Sequence, residues 1–447
     1  MRSSLKRLGS EFFWVGLGQG VAAVGGLVGV RLLTGFMNPV SYGELALALT
    51  IVLLSQQVVG PISQPFMRFF APMQEANKLT AFFRAAFRLS AQATGVVLVF
   101  TALAVIGLWA IGEVRWIWIV VLAFLLSLLT LYNSGLDGVQ NAARHRTVVA
   151  WHQGVGQWVR VAMAISLILM LGSSSTVVLL GYTLGAALVL TSQLVFLKKL
   201  LLKGIRQAGS DKDVSDCVRR MRSYAWPFAG WGLFSWAQLA SDRWALQAFA
   251  SPGVVGVYAA LYQMGYYPVF LLTGLATQLI EPILFSWAGD GSDTERLNRA
   301  HRLTLVLVVG SLAITIGGSI VAFLFHNQIF WLAVAPKYRQ AAGFLPFMVL
   351  ASGLFASGQI ATFIFLIAGK PQRLLAPKIG TCVLCVLLNL FGAYRFGLAG
   401  VVFSNVTFSL AYFIWVSVLA RSQVRGEFRL RSGSVAWVLG ETRRTAT

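Results

Sequence analysis

Three glycines near the amino terminus have the spacing of a phosphate-binding loop. The stretch from Trp14 to Gly35 reads WVGLGQGVAAVGGLVGVRLLTG, with glycine at positions 16, 18 and 20. In a dinucleotide-binding loop, such glycines follow a hydrophobic strand and open a helix, and an acidic residue lies about 20 positions further on. Here only a charged leader, MRSSLKRLGSE, precedes them. The context therefore argues against a phosphate-binding loop.

The cysteines and histidines do not form a recognisable catalytic or metal-binding pattern. Cys382 and Cys385 form a C-x-x-C pair inside an apolar stretch, but no second Cys or His pair completes a tetrahedral zinc site. With Cys217 as the third cysteine, a disulfide framework is not expected. The 4 histidines are scattered, and no Ser-His-Asp or paired-carboxylate arrangement is recognisable. We expect no catalytic residue, no metal site, no cofactor and no enzyme activity.

The composition is that of an integral membrane protein. Hydrophobic residues make up 57% of the 447 residues, charged residues make up 11%, and the mean hydropathy is +0.73. The first apolar run, Phe12 to Val30, has 19 residues without a charge, enough to cross a hydrocarbon core of about 30 Å. Its glycines then become helix-packing positions in small-xxx-small pairs: Gly16 with Gly20, Ala22 with Gly26, and Gly25 with Gly29.

Apolar runs of about 20 residues predict twelve transmembrane helices. Their approximate ranges are 12–33, 43–65, 89–111, 116–136, 148–171, 176–197, 224–249, 254–280, 303–325, 342–366, 377–394 and 398–420. An even number of crossings places both termini on one side. With both termini in the cytoplasm, the cytoplasmic segments hold 29 of the 36 Lys and Arg residues, as the positive-inside rule requires.

The net charge of +21 follows this topology. Basic residues recur loop by loop with the period of the crossings, which indicates contact with anionic membrane lipids and not with nucleic acid. The longest polar interruption divides the chain into a six-helix bundle at 1–197, a basic cytoplasmic linker at 198–223, a second six-helix bundle at 224–420 and a basic cytoplasmic tail at 421–447.

The two halves share a short piece of sequence. RLLTGFMNPVSYGELALA, from Arg31, parallels RWALQAFASPGVVGVYAA, from Arg243. Pro39 and Gly43 match Pro252 and Gly256, although the arginines are out of step by one residue. Matching helix-turn-helix sequences in two halves are typical of pseudo-symmetric transporters, whose substrate site lies between the halves.

The chain resembles the lipid-linked oligosaccharide flippases of the polysaccharide-transporter family, the Wzx-like branch of the superfamily that also contains the MATE multidrug exporters. The resemblance covers residues 5 to about 419 and is carried by four loose motifs. These motifs are Arg31-Leu-Leu with Pro39-x-x-Tyr42-Gly43-Glu44, Asp242-Arg243 with Gly256-x-Tyr258, Ala368-Gly369-Lys370, and Tyr394-x-x-Gly397-x-x-Gly400.

The resemblance implies a fold and a function. The fold is an all-α polytopic membrane protein of the MATE-like type, with twelve transmembrane helices in two pseudo-symmetric bundles. The function is transfer of an undecaprenyl-pyrophosphate-linked oligosaccharide across the bacterial inner membrane by alternating access. Its expected partners are that substrate, membrane lipids, and the polysaccharide polymerase and chain-length machinery.

Arg160 is the strongest candidate for a substrate-binding residue. It lies near the middle of the fifth predicted helix, and Gln153, Gly156 and Gln157 share its face at helical spacing. An ionisable group at that depth faces a wet cavity or a partner. A guanidinium pairs bidentately with phosphate oxygens, so Arg160 and Gln157 would hold a pyrophosphate. A structural ion pair or hydrogen bonds to neighbouring carbonyls are the alternatives.

Arg31 and Arg243 occupy similar places in the two halves. Each lies about twenty residues from the inner end of its predicted helix, so each either flanks the cavity mouth or snorkels to the outer headgroups. Asp242 is a candidate for coupling to a proton or sodium ion, while the membrane potential is a further possible driving force. Sequence neighbours on a helix lie about 100° apart, so we expect Asp242 on a different face from Arg243.

Softer candidates and two rival functions complete the prediction. Gln56, Gly60 and Gln64 are expected to share one face of the second helix, and Arg68 follows on the cytoplasmic side.

One rival function is that of a cation-coupled multidrug exporter of the MATE type. Such an exporter would need unpaired carboxylates inside its helices, where this chain offers mainly Asp242 and Glu281. The other rival is an oligosaccharide polymerase or ligase, for which the predicted external loops are short.

Overall fold

The fold is built from helices, because a chain in hydrocarbon has to satisfy its backbone hydrogen bonds within each segment. The structure is a computed structural model that describes residues 2–201, 210–288 and 293–444. In these ranges the α-helices are α1 (Arg2–Phe36), α2 (Pro39–Val58), α3 (Ser63–Glu75), α4 (Leu79–Ala110), α5 (Arg115–Ala142), α6 (Arg146–Leu171), α7 (Ser175–Leu201), α8 (Asp211–Phe249), α9 (Pro252–Gly265), α10 (Tyr267–Ala288), α11 (Thr294–Ala333), α12 (Leu345–Ala361), α13 (Phe363–Ile367) and α14 (Leu375–Arg444). Three 3₁₀ helices, at Gly60–Ile62, Pro336–Phe344 and Pro371–Leu374, connect some of them.

The described helices are those of a multi-pass membrane protein. Ten helical segments among the described residues are long and apolar enough to cross a membrane. The predicted all-α membrane architecture is therefore confirmed. The twelve crossings and the cytoplasmic termini stay predictions. Two of the predicted crossings, 377–394 and 398–420, are the two halves of α14, which breaks at Gly397 where φ is +58°.

Three differences between predicted and observed helix bounds affect the polar residues discussed below. The predicted 43–65 helix ends at Val58, because Pro61 lacks a backbone N–H and the chain continues through the Gly60–Ile62 turn into α3. The predicted 254–280 helix is interrupted at Tyr266 between α9 and α10. The predicted 116–136 helix continues to Ala142, which brings Asp137 onto α5.

The chain divides into two compact units. One comprises Met1–Gln263 with Asn327–Ala341, and the other comprises Met264–His326 with Ala342–Thr447. These units follow the contacts between helices, whereas the predicted bundles follow the order of the chain. The predicted bundles at 1–197 and 224–420, with the linker at 198–223 and the tail at 421–447, therefore stay a prediction. Positions 202–209 and 445–447 of the linker and tail lie outside the described residues.

Each unit has an aromatic core. In the first unit, the ring of Phe82 packs edge-on against Phe66 and Phe70, with ring centroids 6.4 Å and 5.7 Å away. In the second unit, Phe355 packs against Phe408 and Tyr412, with centroids 6.0 Å and 5.1 Å away. All six rings are buried. The first core also includes Val139 of α5 and Met221 of α8, two helices that bear polar residues discussed below.

Glycines bring α1 close to α6. A Cβ built on Gly18 would lie 2.6 Å from the carbonyl oxygen of Ala150, and one on Gly29 would lie 2.8 Å from Val161. Gly25 faces the indole of Trp158, which also donates a hydrogen bond to the Val21 carbonyl. The predicted packing role of Gly25 and Gly29 agrees with this contact. A Cβ built on Gly16 or Gly20 would meet no atom of the described residues within 4 Å, so the predicted packing of this pair against another described helix is wrong.

The two matching Pro-x-x-x-Gly sequences cross each other directly. A Cβ on Gly43 would overlap the Pro252 carbonyl and lie 2.9 Å from the Gly256 nitrogen. A Cβ on Gly256 would overlap the Pro39 carbonyl and lie 2.9 Å from the Gly43 nitrogen. The contact is therefore reciprocal, backbone against backbone, as expected for two elements related by a pseudo-two-fold axis. Only glycine permits this approach.

The chain between α11 and α12 packs against the helices next to this crossing. The buried Tyr338 donates a hydrogen bond from its hydroxyl to the Met37 carbonyl, at 2.9 Å. Its ring packs edge-on against Tyr42, with centroids 5.6 Å apart. The backbone N–H of Ala335 reaches the Thr34 hydroxyl at 3.3 Å. The α1–α2 turn is thereby fixed to the beginning of the Pro336–Phe344 helix.

We expect Gly43→Ala and Gly256→Ala to destabilise the protein, because each added methyl group overlaps backbone that belongs to a packed helix. Overpacking of this kind costs about 1–3 kcal/mol. Thermal unfolding of the detergent-purified protein measures the effect. Gly16→Ala and Gly20→Ala are matched controls with open space around the new methyl group, and they should melt like the unaltered protein. Equal melting temperatures for all four variants would contradict the packing described.

Candidate functional site

The polar stripe predicted on the fifth crossing lies on α6. Gln157 and Arg160 are half-buried and Gln153 is exposed. Gly185 allows α7 to pass close behind Arg160, since a Cβ built there would lie 2.7 Å from the Arg160 Cα. The buried Nε of Arg160 has no hydrogen-bond partner among the described residues. Arg160 thus retains one guanidinium donor that no described residue satisfies.

Asp137 joins this stripe, and sequence reasoning missed it. Its Oδ2 accepts a hydrogen bond from Gln153 Nε2 at 3.1 Å, and its Oδ1 accepts one from Gln193 Nε2 at 2.8 Å. Arg160 also interacts electrostatically with Asp137. The predicted helix ended at residue 136, which left Asp137 in a loop. Its position three residues before Gln140, in a stretch without a helix-breaking proline, was the available signal.

Asp242 and Arg243 form one buried network, together with two tyrosines of α9. Asp242 Oδ1 accepts from the Arg243 backbone N–H at 2.7 Å and from its Nη1 at 3.3 Å. Asp242 Oδ2 accepts from the Tyr258 hydroxyl at 2.5 Å. The guanidinium lies 4.3 Å from the ring centroid of Tyr262 and also donates to the Leu239 carbonyl.

The expectation that Asp242 and Arg243 point to different faces is therefore wrong. Although their Cα–Cβ bonds diverge, the long arginine side chain folds back onto the carboxylate beside it. Arg243 is 9% exposed and Asp242 is 2% exposed, which is the situation of a compensated buried pair. Neither Arg243 as a cavity residue nor Asp242 as a coupling site is tested by this geometry, and both stay predictions.

A second compensated carboxylate, Glu44, belongs to the Pro39-x-x-Tyr42-Gly43-Glu44 motif. It is 8% exposed and accepts a hydrogen bond from Arg115 Nη2 at 2.8 Å on one oxygen. The other oxygen accepts from the Ser175 hydroxyl at 2.8 Å. The contact joins the second turn of α2 to the first residues of α5 and α7. Glu44 is thus a structural link between three helices.

The remaining candidates are dispersed over other helices. Arg31 is exposed on α1, and Gln64 and Arg68 are exposed on α3. Gln56, on α2, is half-buried, and its Nε2 lies 3.4 Å from the Ser127 carbonyl. The predicted continuous face of Gln56, Gly60 and Gln64 is wrong, because the Gly60–Ile62 turn separates α2 from α3.

The three cysteines are packing residues. Cys382 and Cys385 are buried on α14, at 3% and 0% exposure, and neither forms a disulfide. Cys217 is buried in the first part of α8, outside the predicted crossing. Burial raises the pKa of the Cys217 thiol to about 11. The thiol is therefore protonated at neutral pH, and the thiolate that reactions require is scarce.

Tyr258→Phe should destabilise the protein, because it leaves one oxygen of the buried Asp242 without its donor. Loss of a hydrogen bond to a buried charged group costs about 1–3 kcal/mol. The melting temperature in detergent is the measurement. Tyr224→Phe removes the same hydroxyl from an exposed tyrosine and should leave the melting temperature unchanged. If both variants melt alike, the Asp242 network does not support the fold.

Comparison with known proteins identifies the family and the fold. A family model described as "Polysaccharide biosynthesis protein" matches residues 8–287. Among functionally curated proteins, none matches the chain.

Several solved transporter structures share the fold. The chain is similar to an inward-facing conformation of a multidrug resistance MATE family transporter of the MOP superfamily, with a TM-score of 0.64, 14% identity and coverage of 93% of this chain and 96% of that one. An outward-facing conformation of such a transporter matches with a TM-score of 0.62, 16% identity and coverage of 93% and 95%. A mutant of the Vibrio cholerae MATE transporter VcmN matches with a TM-score of 0.63, 14% identity and coverage of 95% and 98%.

At this identity the structural matches establish the fold, while the family model covers more than half of the chain. The family model thus confirms the predicted polysaccharide-related family, and the structural matches confirm the predicted MATE-like fold. The chain therefore belongs to the polysaccharide biosynthesis protein family and has the fold of MATE transporters.

Proposed function

We propose that this protein is a flippase that moves an undecaprenyl-pyrophosphate-linked oligosaccharide from the inner to the outer leaflet of the bacterial cytoplasmic membrane. The observation that carries the proposal is the combination of a polysaccharide-biosynthesis family model with a transporter fold. Lipid-linked oligosaccharide has a polar head that cannot cross hydrocarbon unaided. A protein of this family with this fold is suited to carry that head.

Arg160 is the proposed contact for the pyrophosphate. Its helix, α6, places it far from both ends of the segment, and Gln157 and Gln153 extend the polar surface towards one end. A buried guanidinium donor without a protein partner has a strong preference for an anion. Gln153 and Gln157 are suited to sugar hydroxyls, because an amide both donates and accepts hydrogen bonds. The polyprenyl tail stays in the bilayer.

Alternating access requires the two ends of the carrier to open in turn. The α1–α2 and α8–α9 turns belong to the repeated sequences, and their glycines are in direct contact. With the termini in the cytoplasm, this contact closes the external end. In the proposed cycle the Gly43–Gly256 contact separates when the substrate is released to the outer leaflet. The repeats thus supply the two sides of an external gate.

The rival functions have less support. A cation-coupled drug exporter needs a carboxylate available to its cargo, whereas Asp242 is hydrogen-bonded to Tyr258 and Arg243, and Glu44 to Arg115 and Ser175. A third carboxylate, Asp137, has no arginine among the described residues bonded to it, but the cation Arg160 nearby disfavours a cationic cargo there. Multidrug resistance is the description of the structural neighbours, which share 14–16% identity with this chain. A polymerase or ligase would act on the same lipid-linked substrate and is separated from a flippase by the experiment below.

Depletion of the protein from its host tests the proposal. We expect a polyprenyl-pyrophosphate oligosaccharide to accumulate in the cytoplasmic leaflet, detected by mass spectrometry of the lipid fraction together with a leaflet-specific sugar label. The mass of the glycan identifies the substrate. Accumulation of single repeat units in the outer leaflet would indicate a polymerase defect, and no accumulation would indicate export of another compound. Either result would refute the proposal.

Arg160→Gln should reduce flipping by about 10- to 100-fold, because it removes charge-assisted hydrogen bonds to the pyrophosphate. Arg160→Lys keeps the charge but not the fork geometry and should retain part of the activity. Complementation of the depleted host by each variant, at equal membrane abundance, is the measurement. Arg302→Gln, at an exposed arginine of α11, is the control and should remain active. Full activity of Arg160→Gln would exclude Arg160 as the pyrophosphate contact.

Locking the external gate should stop transport. A Cβ at Gly253 lies 3.6 Å from Val40 Cγ2, so Val40→Cys with Gly253→Cys brings two thiols within reach of each other. In a background where the three native cysteines are alanine, oxidation should block flipping and a reductant should restore it. Each single-cysteine variant is the control. Undiminished flipping by the cross-linked protein would show that this contact does not open.

A further inference from the structure

Asp137 is a carboxylate held between two helices inside the first unit. It lies five residues before the end of α5, and its two oxygens accept hydrogen bonds from Gln153 on α6 and Gln193 on α7. Gln193 is 1% exposed, and its own Oε1 has no hydrogen-bond partner among the described residues. Side chains of two neighbouring helices therefore hold the Asp137 carboxylate in place. The Gln193 Oε1 atom beside it is an acceptor without a donor among the described residues.

The charged or titratable groups near Asp137 lie on α6. Among the described residues, the titratable or charged groups that interact with it electrostatically are His152 and Arg160, both on α6. His152 is itself held by two hydrogen bonds, from Nδ1 to the Val148 carbonyl at 2.9 Å and between Nε2 and the Ser192 hydroxyl at 3.0 Å. From α7, Asp137 receives the neutral amide of Gln193. Asp137 therefore stands in a fixed environment with one strong cation, Arg160.

Asp137 differs from the two other carboxylates of the helical core. Asp242 and Glu44 each have an arginine within salt-bridge distance, at 3.3 Å and 2.8 Å. Asp137 has only neutral amide donors in direct contact. It is half-buried, and its partner Gln153 is exposed at the protein surface. A carboxylate near the surface, without a directly bonded cation, can exchange a proton.

We propose that Asp137 is a proton-binding carboxylate whose charge controls how strongly Arg160 attracts an anion. When Asp137 is ionised, its negative charge partly compensates the guanidinium. When a proton neutralises Asp137, the guanidinium keeps its full attraction for an anionic group. By linkage, an anion at Arg160 in turn favours the protonated carboxylate. The part of this proposal that concerns Arg160 rests on the proposed function, whereas proton binding by Asp137 does not.

The unmatched Gln193 Oε1 gives the protonated form a partner. In the ionised form both oxygens of Asp137 are acceptors, and both amides donate to them. After protonation one oxygen becomes a donor, and rotation of the Gln193 amide presents its carbonyl oxygen to that proton. The cluster can therefore form hydrogen bonds with both the ionised and the protonated carboxylate of Asp137. The Gln193 amide group rotates between the two states.

Infrared difference spectroscopy of the purified protein tests proton binding without any substrate. A pH step should produce carbonyl-stretch bands of carboxylic acids, and Asp137→Asn should remove one component of them. Asp213→Asn, at a carboxylate that forms an exposed ion pair with Lys78, is the matched control and should keep that component. Asp242→Asn should keep it also. A difference spectrum that is the same in Asp137→Asn and in the unaltered protein would overturn the proposal.

Variants around Asp137 keep the test valid if Asp137→Asn fails to fold. Gln153→Leu removes a donor to the ionised carboxylate, and Arg160→Gln removes its cation. Each should therefore move the midpoint of the Asp137 band to higher pH, by about one pH unit or more for Arg160→Gln. Arg302→Gln should leave the midpoint in place. Unchanged midpoints in both test variants would refute control by this cluster, irrespective of whether the protein flips lipids.

Adding inorganic pyrophosphate tests the link to Arg160. If the anion binds at Arg160, the midpoint of the Asp137 band should rise in the unaltered protein and stay fixed in Arg160→Gln. A midpoint that does not respond to pyrophosphate would refute the coupling to an anion, while the band itself would still report proton binding. Failure of the proposed flippase function would instead be seen in the lipid fraction of depleted cells. The two proposals are therefore tested separately.

Discussion

Two helices meet without side chains between them where Gly43 of α2 faces Gly256 of α9. Each glycine fits against the carbonyl of the proline that begins the opposite helix, Pro39 or Pro252. In a hydrocarbon environment, apolar contact between helices gains little over contact with lipid, so close backbone packing becomes a main source of helix association. The reciprocal contact therefore fixes how the two repeated helix-turn-helix elements lie against each other. The contacts between α2 and α8 depend on this arrangement.

Two tryptophans of α8 depend on this arrangement. Trp236 Nε1 donates to the Thr50 carbonyl at 2.8 Å, and Trp244 Nε1 donates to the Thr50 hydroxyl at 2.9 Å. Both contacts need α2 and α8 to run close together, which the crossing of α2 with α9 enforces at one end. Further along, Gly232 allows α8 to lie directly against the backbone of Gln57. One constraint, the absence of a side chain at a few positions, thus sets the packing of several helices.

Polar groups in apolar helices need partners, and the exceptions are informative. Asp242 and Glu44 are matched by arginines and hydroxyl groups, so they hold the fold together. Arg160 keeps a buried donor without a partner among the described residues. Asp137 has amides instead of a bonded cation. Both charged groups therefore lie on neighbouring helices, α5 and α6, and Gln193 of α7 contacts the carboxylate of Asp137.

The sequence by itself determined that this is a helical membrane protein of the polysaccharide biosynthesis family, and that Arg160 lies within a polar stripe. Hydropathy and helical spacing are local properties, so they can be read along the chain. The pairing of Asp242 with Arg243, the place of Asp137 beside Gln153 and Gln193, and the contact of Gly43 with Gly256 were decided only by the tertiary structure. The repeat predicted that Pro39 and Pro252 correspond, but not that their helices touch. Contacts between distant segments depend on helix ends and crossing geometry, which a residue pattern does not specify: Pro61 ended α2 early, and α5 extended far enough to carry Asp137.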